Sequence, residues 1–282
     1  MIRWRRRIDG VEWLLVASTL EMGEAARRQV AEAQALPERD AGERCELEGV
    51  DAWRKGGPLR GRAALRHGLR MRLGQGLPRL REARNLEWLA AHLFEVPRPL
   101  AAVARVQGGL PRAQWLWTAH LDDAAPLEER WPLLPEPVQT ELLGELAREC
   151  ARLHALGFVH RDLFLRNLMH RVGAARQLVF LDAWRGGPGP GLRGPAHDVG
   201  CLLSNLVDVA GDEPAARWLE AYVRERAAQD RPVNGPRFVD TACRSRDAIV
   251  RRLHRQPSRL RGRPAPALGW RPGELDLPQL RR

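Results

Sequence analysis

The sequence predicts an α+β chain in two lobes, a small β-rich N-lobe followed by a larger helical C-lobe. Three observations carry this. Segments of strand character come early and helical periodicity comes late. A crossing from Asp122 to Pro137, with four prolines, separates them. The 282 residues, 44% hydrophobic, suffice to bury a sizeable core. The expected boundaries are 1–120 for the N-lobe, 121–256 for the C-lobe and 257–282 for a basic, Pro- and Arg-rich tail.

In chain order, Glu12 to Ser18 reads as a strand and Glu24 to Leu36 as a helical run. Arg44 to Arg54 reads as two extended pieces around Glu48-Gly49. Pro78 to Leu93 reads as a helix, because Leu80, Ala83, Leu86, Ala90 and Leu93 fall on one face; Pro97 and Pro99 stop it. Leu100 to Val106 and Gln114 to Ala119 read as strands separated by a Gly-Gly-Leu-Pro turn. Glu136 to Leu156 is the clearest helix, with Leu142, Leu146, Cys150 and Leu153 in one stripe and Gly157 at the C-cap. Short strands follow at Phe158-Val159 and Leu178 to Leu181. Helices are expected at Ala196 to Val209 and Pro214 to Ala228, with a basic amphipathic one at Val239 to Arg255.

Composition narrows the function classes. Charged residues make up 29%, which argues against wholesale disorder. The longest uncharged apolar stretches, such as Trp13 to Leu20, fall far short of the roughly 20 residues a membrane span needs. The basic N-terminus has the look of a signal n-region, but the apolar run behind it is short and interrupted by Glu12, so it reads as mature sequence. Cys45, Cys150, Cys201 and Cys243 are widely spaced, which argues against structural zinc and a disulfide framework and fits a reducing cytoplasm.

The net charge of +11 points to a polyanionic partner: nucleic acid, an anionic membrane surface or a phosphorylated substrate. The bland alternative is free use of arginine on solvated faces. Ala52 to Arg81 holds nine basic residues and no acidic one, and eleven arginines follow Cys243. Of 46 basic residues only Lys55 is a lysine. An ammonium is a compact point charge and a guanidinium a wide fork, so a tight phosphate contact discriminates between them.

The segment His160-Arg-Asp-Leu-Phe-Leu-Arg-Asn167 matches H-R-D-L-x-x-x-N in full, after a long helix and a short strand. Asp182 follows the apolar run Leu178 to Leu181. Phosphoryl transfer needs a carboxylate to deprotonate the acceptor hydroxyl, oxygen ligands for magnesium, and a cation on the non-transferred phosphates. Asp162 suits the first role, Asn167 and Asp182 the second, and Lys55 the third.

These residues make the sequence resemble the protein-kinase-like superfamily, and most closely the bacterial lipopolysaccharide core kinases that phosphorylate heptose or Kdo. The resemblance runs from about Glu46 to Val209. It implies a two-lobed protein-kinase-like fold, with ATP and Mg as cofactors. Lys55 matches the third-strand lysine and Glu82 its helix partner, with Glu87 on the same helix as the rival. Pro97-Arg-Pro99 matches the helix-to-strand Pro-x-Pro. Asp162 matches the catalytic base, and Asn167 and Asp182 the metal ligands. Asp182 with Arg185 resembles the family's D-x-x-R, and Asp198 the aspartate that braces the catalytic loop. The acceptor implied is an anionic, lipid-linked saccharide. The enzyme would be cytoplasmic, peripheral on the inner face of the cell membrane, without specific nucleic acid.

The departures from the pattern are specific. No GxGxxG precedes Lys55, which leaves Asp40 to Val50, with Gly42 and Gly49, to cover the phosphates. The stretch from Asp182 to Asp198 is too short for the activation segment on which a protein kinase seats its peptide. Rival readings are a soluble choline- or aminoglycoside-type kinase, a non-enzymatic pseudokinase scaffold, a nucleic-acid module and a protein kinase. The first would take a cationic acceptor and so an acidic site. The second does not need Lys55, Asp162, Asn167 and Asp182 together. The third explains the charge but not the motif.

Overall fold

Three two-residue turns organise the first part of the chain: Asp9-Gly10, Glu48-Gly49 and Gly108-Gly109 all have positive φ at both positions. That is the type I′ geometry whose twist suits a hairpin. The turns join β1 (Ile2–Ile8) to β2 (Val11–Ala17), β3 (Gly42–Leu47) to β4 (Val50–Pro58), and β5 (Pro99–Gln107) to β6 (Leu110–Ala119). This computed structural model describes residues 1–32, 42–174, 176–189, 194–229, 233–256 and 265–277. The chain divides into two compact units, Met1–Asp122 and Asp123–Arg282.

In the first unit the six strands form one antiparallel sheet in the order β1-β2-β5-β6-β4-β3. Its helices are α1 (Leu20–Glu32), α2 (Gly61–Arg72) and α3 (Pro78–Ala91). Successive side chains on a strand point to opposite faces. Here both faces are covered. Trp13, Leu15, Ala101, Val103, Trp115 and Trp117 pack with Ala25, Ala26 and Val30 of α1. Val16, Ala102, Ala104 and Leu116 pack with Leu80, Ala83 and Leu86 of α3. Leu100 through Ala104 are therefore all fully buried, which explains a continuous apolar run in place of alternation.

The expected strands and the α3 helix are present, with ends shifted by up to four residues. α1 begins at Leu20, and the end of the expected run to Leu36 lies outside the described residues, as do Asp40 and Ala41 of the expected phosphate-covering segment. Two elements of the first unit were not anticipated. β1 is masked by its arginines, and α2 reads in sequence only as part of a basic stretch.

The second unit opens with β7 (Ala124–Pro126), α4 (Leu127–Arg130) and a 3-10 turn at Trp131–Leu133, so the proline-rich crossing is more ordered than its composition suggests. The long helix α5 (Glu136–Ala155) leads to β8 (Phe158–Val159), β9 (Leu168–Arg171), β10 (Leu178–Phe180) and β11 (Gly187–Pro188). These strands form two small sheets, β10-β9-β7 and β11-β8. Then come α6 (Pro195–Ala210), α7 (Asp212–Ala228) and α8 (Gly235–Arg255). Helix α6 packs on α8, and α5 on α7.

Residues 265–277 form no helix or strand, yet they are fastened to α8. Arg246 Nη1 donates to the carbonyl of Ala267 at 3.0 Å. Asp247 accepts from the Gly269 amide at 3.1 Å and pairs with Arg271 at 3.0 Å. Trp270 is buried beside the Arg246 guanidinium. Residues 257–264 and 278–282 of the expected tail lie outside the described residues.

Candidate active site

Strand register aims Lys55. Lys55 of β4 pairs with Leu116 of β6, which pairs with Ala102 of β5. Directly paired residues share a face, and Leu116 and Ala102 lie on the face covered by α3. There Lys55 Nζ meets Glu82 Oε1 at 2.5 Å. Glu82 is fully buried, and its other oxygen takes Arg79 Nη1 at 2.7 Å. Pro78 begins α3, and the Gln114 side chain accepts the Arg79 backbone N–H at 3.0 Å, capping the helix from β6. Gly56, at φ +142°, lets β4 pass close to β6: a Cβ there would stand 2.1 Å from the Gln114 carbonyl oxygen.

In the second unit, His160 to Asn167 forms a loop held from inside. Arg161 has φ +63°, a left-handed conformation that costs a non-glycine residue roughly 1 kcal/mol or more. Asp198, fully buried in the first turn of α6, holds it there. Its carboxylate accepts the His160 and Arg161 amides, each at 2.6 Å. His154 of α5 bonds the same carboxylate at 3.2 Å and, through its other nitrogen, the Tyr222 hydroxyl of α7 at 2.7 Å. Burial pushes His154 below the usual histidine range, against the opposing hydrogen bond from Asp198. Burial likewise raises the Tyr222 phenol.

Asp162 and Asn167 are locked to each other. The Asn167 side-chain nitrogen donates to the Asp162 carbonyl at 2.7 Å, which leaves its amide oxygen for another partner. The Asn167 carbonyl accepts the Leu181 amide at 2.9 Å, and His160 Nε2 meets the Leu181 carbonyl at 2.9 Å. Asp182, next along the chain, is left-handed at φ +57° and opens a 3-10 turn, Ala183–Arg185. That turn returns Arg185 Nη1 to within 3.3 Å of the Asp162 carboxylate, with Arg166 Nη2 at 3.9 Å from the same oxygen. Gly186 seals the turn: a Cβ would lie 2.7 Å from the Val159 carbonyl oxygen. Asn167 and Asp182 offer hard oxygen donors, the type a magnesium ion selects.

Lys55 and Glu82 are thus brought together in the first unit, and in the second Asp162 and Asn167 share one loop, Asp182 and Arg185 lie at the two ends of one turn, and Asp198 reaches the loop from α6. Arg79, Gln114, His154 and Tyr222 were missed. Arg79 had a signal, since it precedes Glu82 by one helical turn. His154 and Tyr222 had none, because they come from separate helices. The segment expected to cover the phosphates has a two-residue turn, Glu48-Gly49, and no glycine-rich loop among its described residues.

The sequence profile of the lipopolysaccharide kinase (Kdo/WaaP) family matches residues 40–191, more than half of the chain. The chain belongs to this family. This kinase is a phosphotransferase with an alcohol group as acceptor, and the match spans Lys55, Glu82, Asp162, Asn167 and Asp182. No curated protein sequence matches it. Among solved structures, WaaP in complex with acyl carrier protein is similar at 17% identity, with 83% of this chain and 98% of that chain covered and a TM-score of 0.54. A glucosamine kinase in complex with glucosamine, ADP and inorganic phosphate is similar at 15% identity, with 90% and 85% covered and a TM-score of 0.51. The fold is protein-kinase-like, with a β-rich first unit and a helical second unit. Among the described residues no helix is long and apolar enough to cross a membrane.

Proposed function

We propose that this kinase moves the γ-phosphoryl group of ATP to a heptose or Kdo hydroxyl of lipopolysaccharide core, on an anionic, lipid-linked acceptor at the cytoplasmic face of the membrane. Lys55, steadied by Glu82 and Arg79, contacts the non-transferred phosphates. Asp162 orients the acceptor hydroxyl and takes its proton. Asn167 and Asp182 are the residues that would hold magnesium; when bound, the ion supplies charge neutralisation on the phosphates. The loop and turn carry no protein-kinase-type Phe switch, because Ala183 and Trp184 follow Asp182.

The observation that carries the acceptor's charge is the pair of arginines at the base. Arg185 and Arg166 both face the Asp162 carboxylate, and both side chains are partly open to solvent. Two cations there favour a phosphorylated or carboxylated sugar and repel the ammonium of an amino sugar or aminoglycoside. Phosphate analysis of core oligosaccharide from cells with and without the gene tests the reading. Loss of one sugar phosphate is expected, and an unchanged phosphate pattern refutes it.

A further inference from the structure

Helix α2 presents an outer surface that the proposed chemistry does not use. Leu65 and Leu69 of the helix and Leu73, its C-cap, recur every fourth residue and are 59, 60 and 64% exposed. Residues four apart lie on one ridge. Arg62 and Arg66 run along one side of this ridge and Arg72 lies on the other, all three exposed. The helix carries no acidic residue, and none occurs between Ala52 and Arg81. Its inner side, with Ala64, His67 and Gly68, is buried against β6. The absence of a side chain at Gly68 lets the helix settle on Leu110, so the leucine ridge is firmly mounted.

We propose that α2 is an interfacial helix that seats this kinase on an anionic membrane, with the three leucines in the headgroup boundary and Arg62, Arg66 and Arg72 on lipid phosphates. This rests on the reading of a lipid-linked acceptor. The occupant follows from the two chemistries together. A polyanion in solution would engage the arginines and leave the leucines in water. An apolar protein face would bury the leucines and leave the arginines unanswered. A leaflet of anionic lipid satisfies both, with acyl carbon beneath a layer of phosphate. At 12 residues the helix is about 18 Å long, and its polar sides require it to lie flat.

The test is co-sedimentation of the full chain with phosphatidylcholine vesicles, with and without phosphatidylglycerol, at low and high salt. Leu65→Ser/Leu69→Ser should weaken binding to the anionic vesicles at least about tenfold at both salt levels, since apolar insertion is not screened. Arg62→Gln/Arg66→Gln/Arg72→Gln should lose the preference for anionic lipid and its salt dependence. Both variants should unfold at the wild-type midpoint, because the side chains removed are exposed, and should phosphorylate lipid-free, phosphatase-treated core oligosaccharide at the wild-type rate.

Wild-type vesicle binding that survives unchanged in the leucine variant overturns the role of α2 and leaves the lipid-linked acceptor standing. Vesicle binding lost in the leucine variant, from a protein that phosphorylates no core saccharide, supports α2 and sinks the acceptor reading instead. No vesicle binding by either protein, with a wild-type dimer in sedimentation velocity that the leucine variant abolishes, makes the ridge a contact between copies and overturns the proposal.

Discussion

Asp198→Asn is the most informative single substitution in the second unit. The carboxylate accepts two backbone N–H groups at 2.6 Å and His154 at 3.2 Å, in a fully buried setting. An amide of the same shape has one acceptor oxygen. Its NH2 must then face a backbone N–H, so one charge-assisted hydrogen bond is lost, at about 1.5–3 kcal/mol, and a buried donor is left unsatisfied, at about 1–3 kcal/mol more. The sum, about 2.5–6 kcal/mol, reaches the upper end for a point substitution. At about 2–4 °C per kcal/mol for a chain of this size, the unfolding midpoint should fall by at least about 5 °C. Arg161 should also leave its left-handed conformation, since the bond that holds it is one of those weakened. Urea unfolding gives the stability, hydrogen exchange on a peptide spanning Phe158 to Phe164 gives the local opening, and turnover gives the consequence. A loss under about 1 kcal/mol, with unchanged exchange and activity, would refute the claim that Asp198 braces this loop.

Lys55→Arg should cut turnover by at least about a hundredfold, because the fork cannot reproduce a point-charge contact beside buried Glu82; near-normal initial rates would remove Lys55 from the site. Asp162→Asn should abolish transfer while leaving ATP binding nearly intact, whereas Asp182→Asn should weaken Mg-ATP binding in titration, and the opposite pattern would mean that the roles are exchanged. Burial depresses His154 in the folded state, so its contribution to stability is fully present above the unfolded value near 6.5 and is lost as pH falls through the folded value. Urea unfolding should therefore show a drop from pH 7.5 to 5.5 that shrinks in His154→Gln; an equal drop in both proteins rules His154 out as its source. Trp270→Ala should destabilise by about 3 kcal/mol, because a buried indole is removed from the segment fastened on α8, and an unchanged midpoint would show that segment to be dispensable.

What the sequence disclosed follows from how local each signal is. His160 to Asn167 is contiguous and its spacing is its meaning, so Asp162 and Asn167 were legible. Lys55 stood out because the chain otherwise uses arginine. Glu82 was legible only as one position on a helix face, and the pairing with Lys55 needed the β4-β6 register. The bond from His154 to Tyr222 joins residues far apart in sequence and leaves no pattern. Among elements, α3 and α5 announced themselves by apolar stripes, whereas β1 and α2 did not. Their exposed sides carry arginine and leucine in place of the mixed polar residues that make a periodicity visible.

The strand order has a consequence for how the first unit is made. β5 is the strand that joins β2 to β6, and it leaves the ribosome some 80 residues after β2. At roughly 5–20 residues per second, the β1-β2 hairpin waits several seconds for its permanent neighbour. A lone hairpin is marginal in water, and its open edges invite strands of other chains. In β1, Arg3, Arg5, Arg6 and Arg7 put repulsion on that rim, and they remain on the sheet's outer edge when folding ends. The rim of β1 thus carries a row of like charges that disfavours pairing with the same strand of another copy.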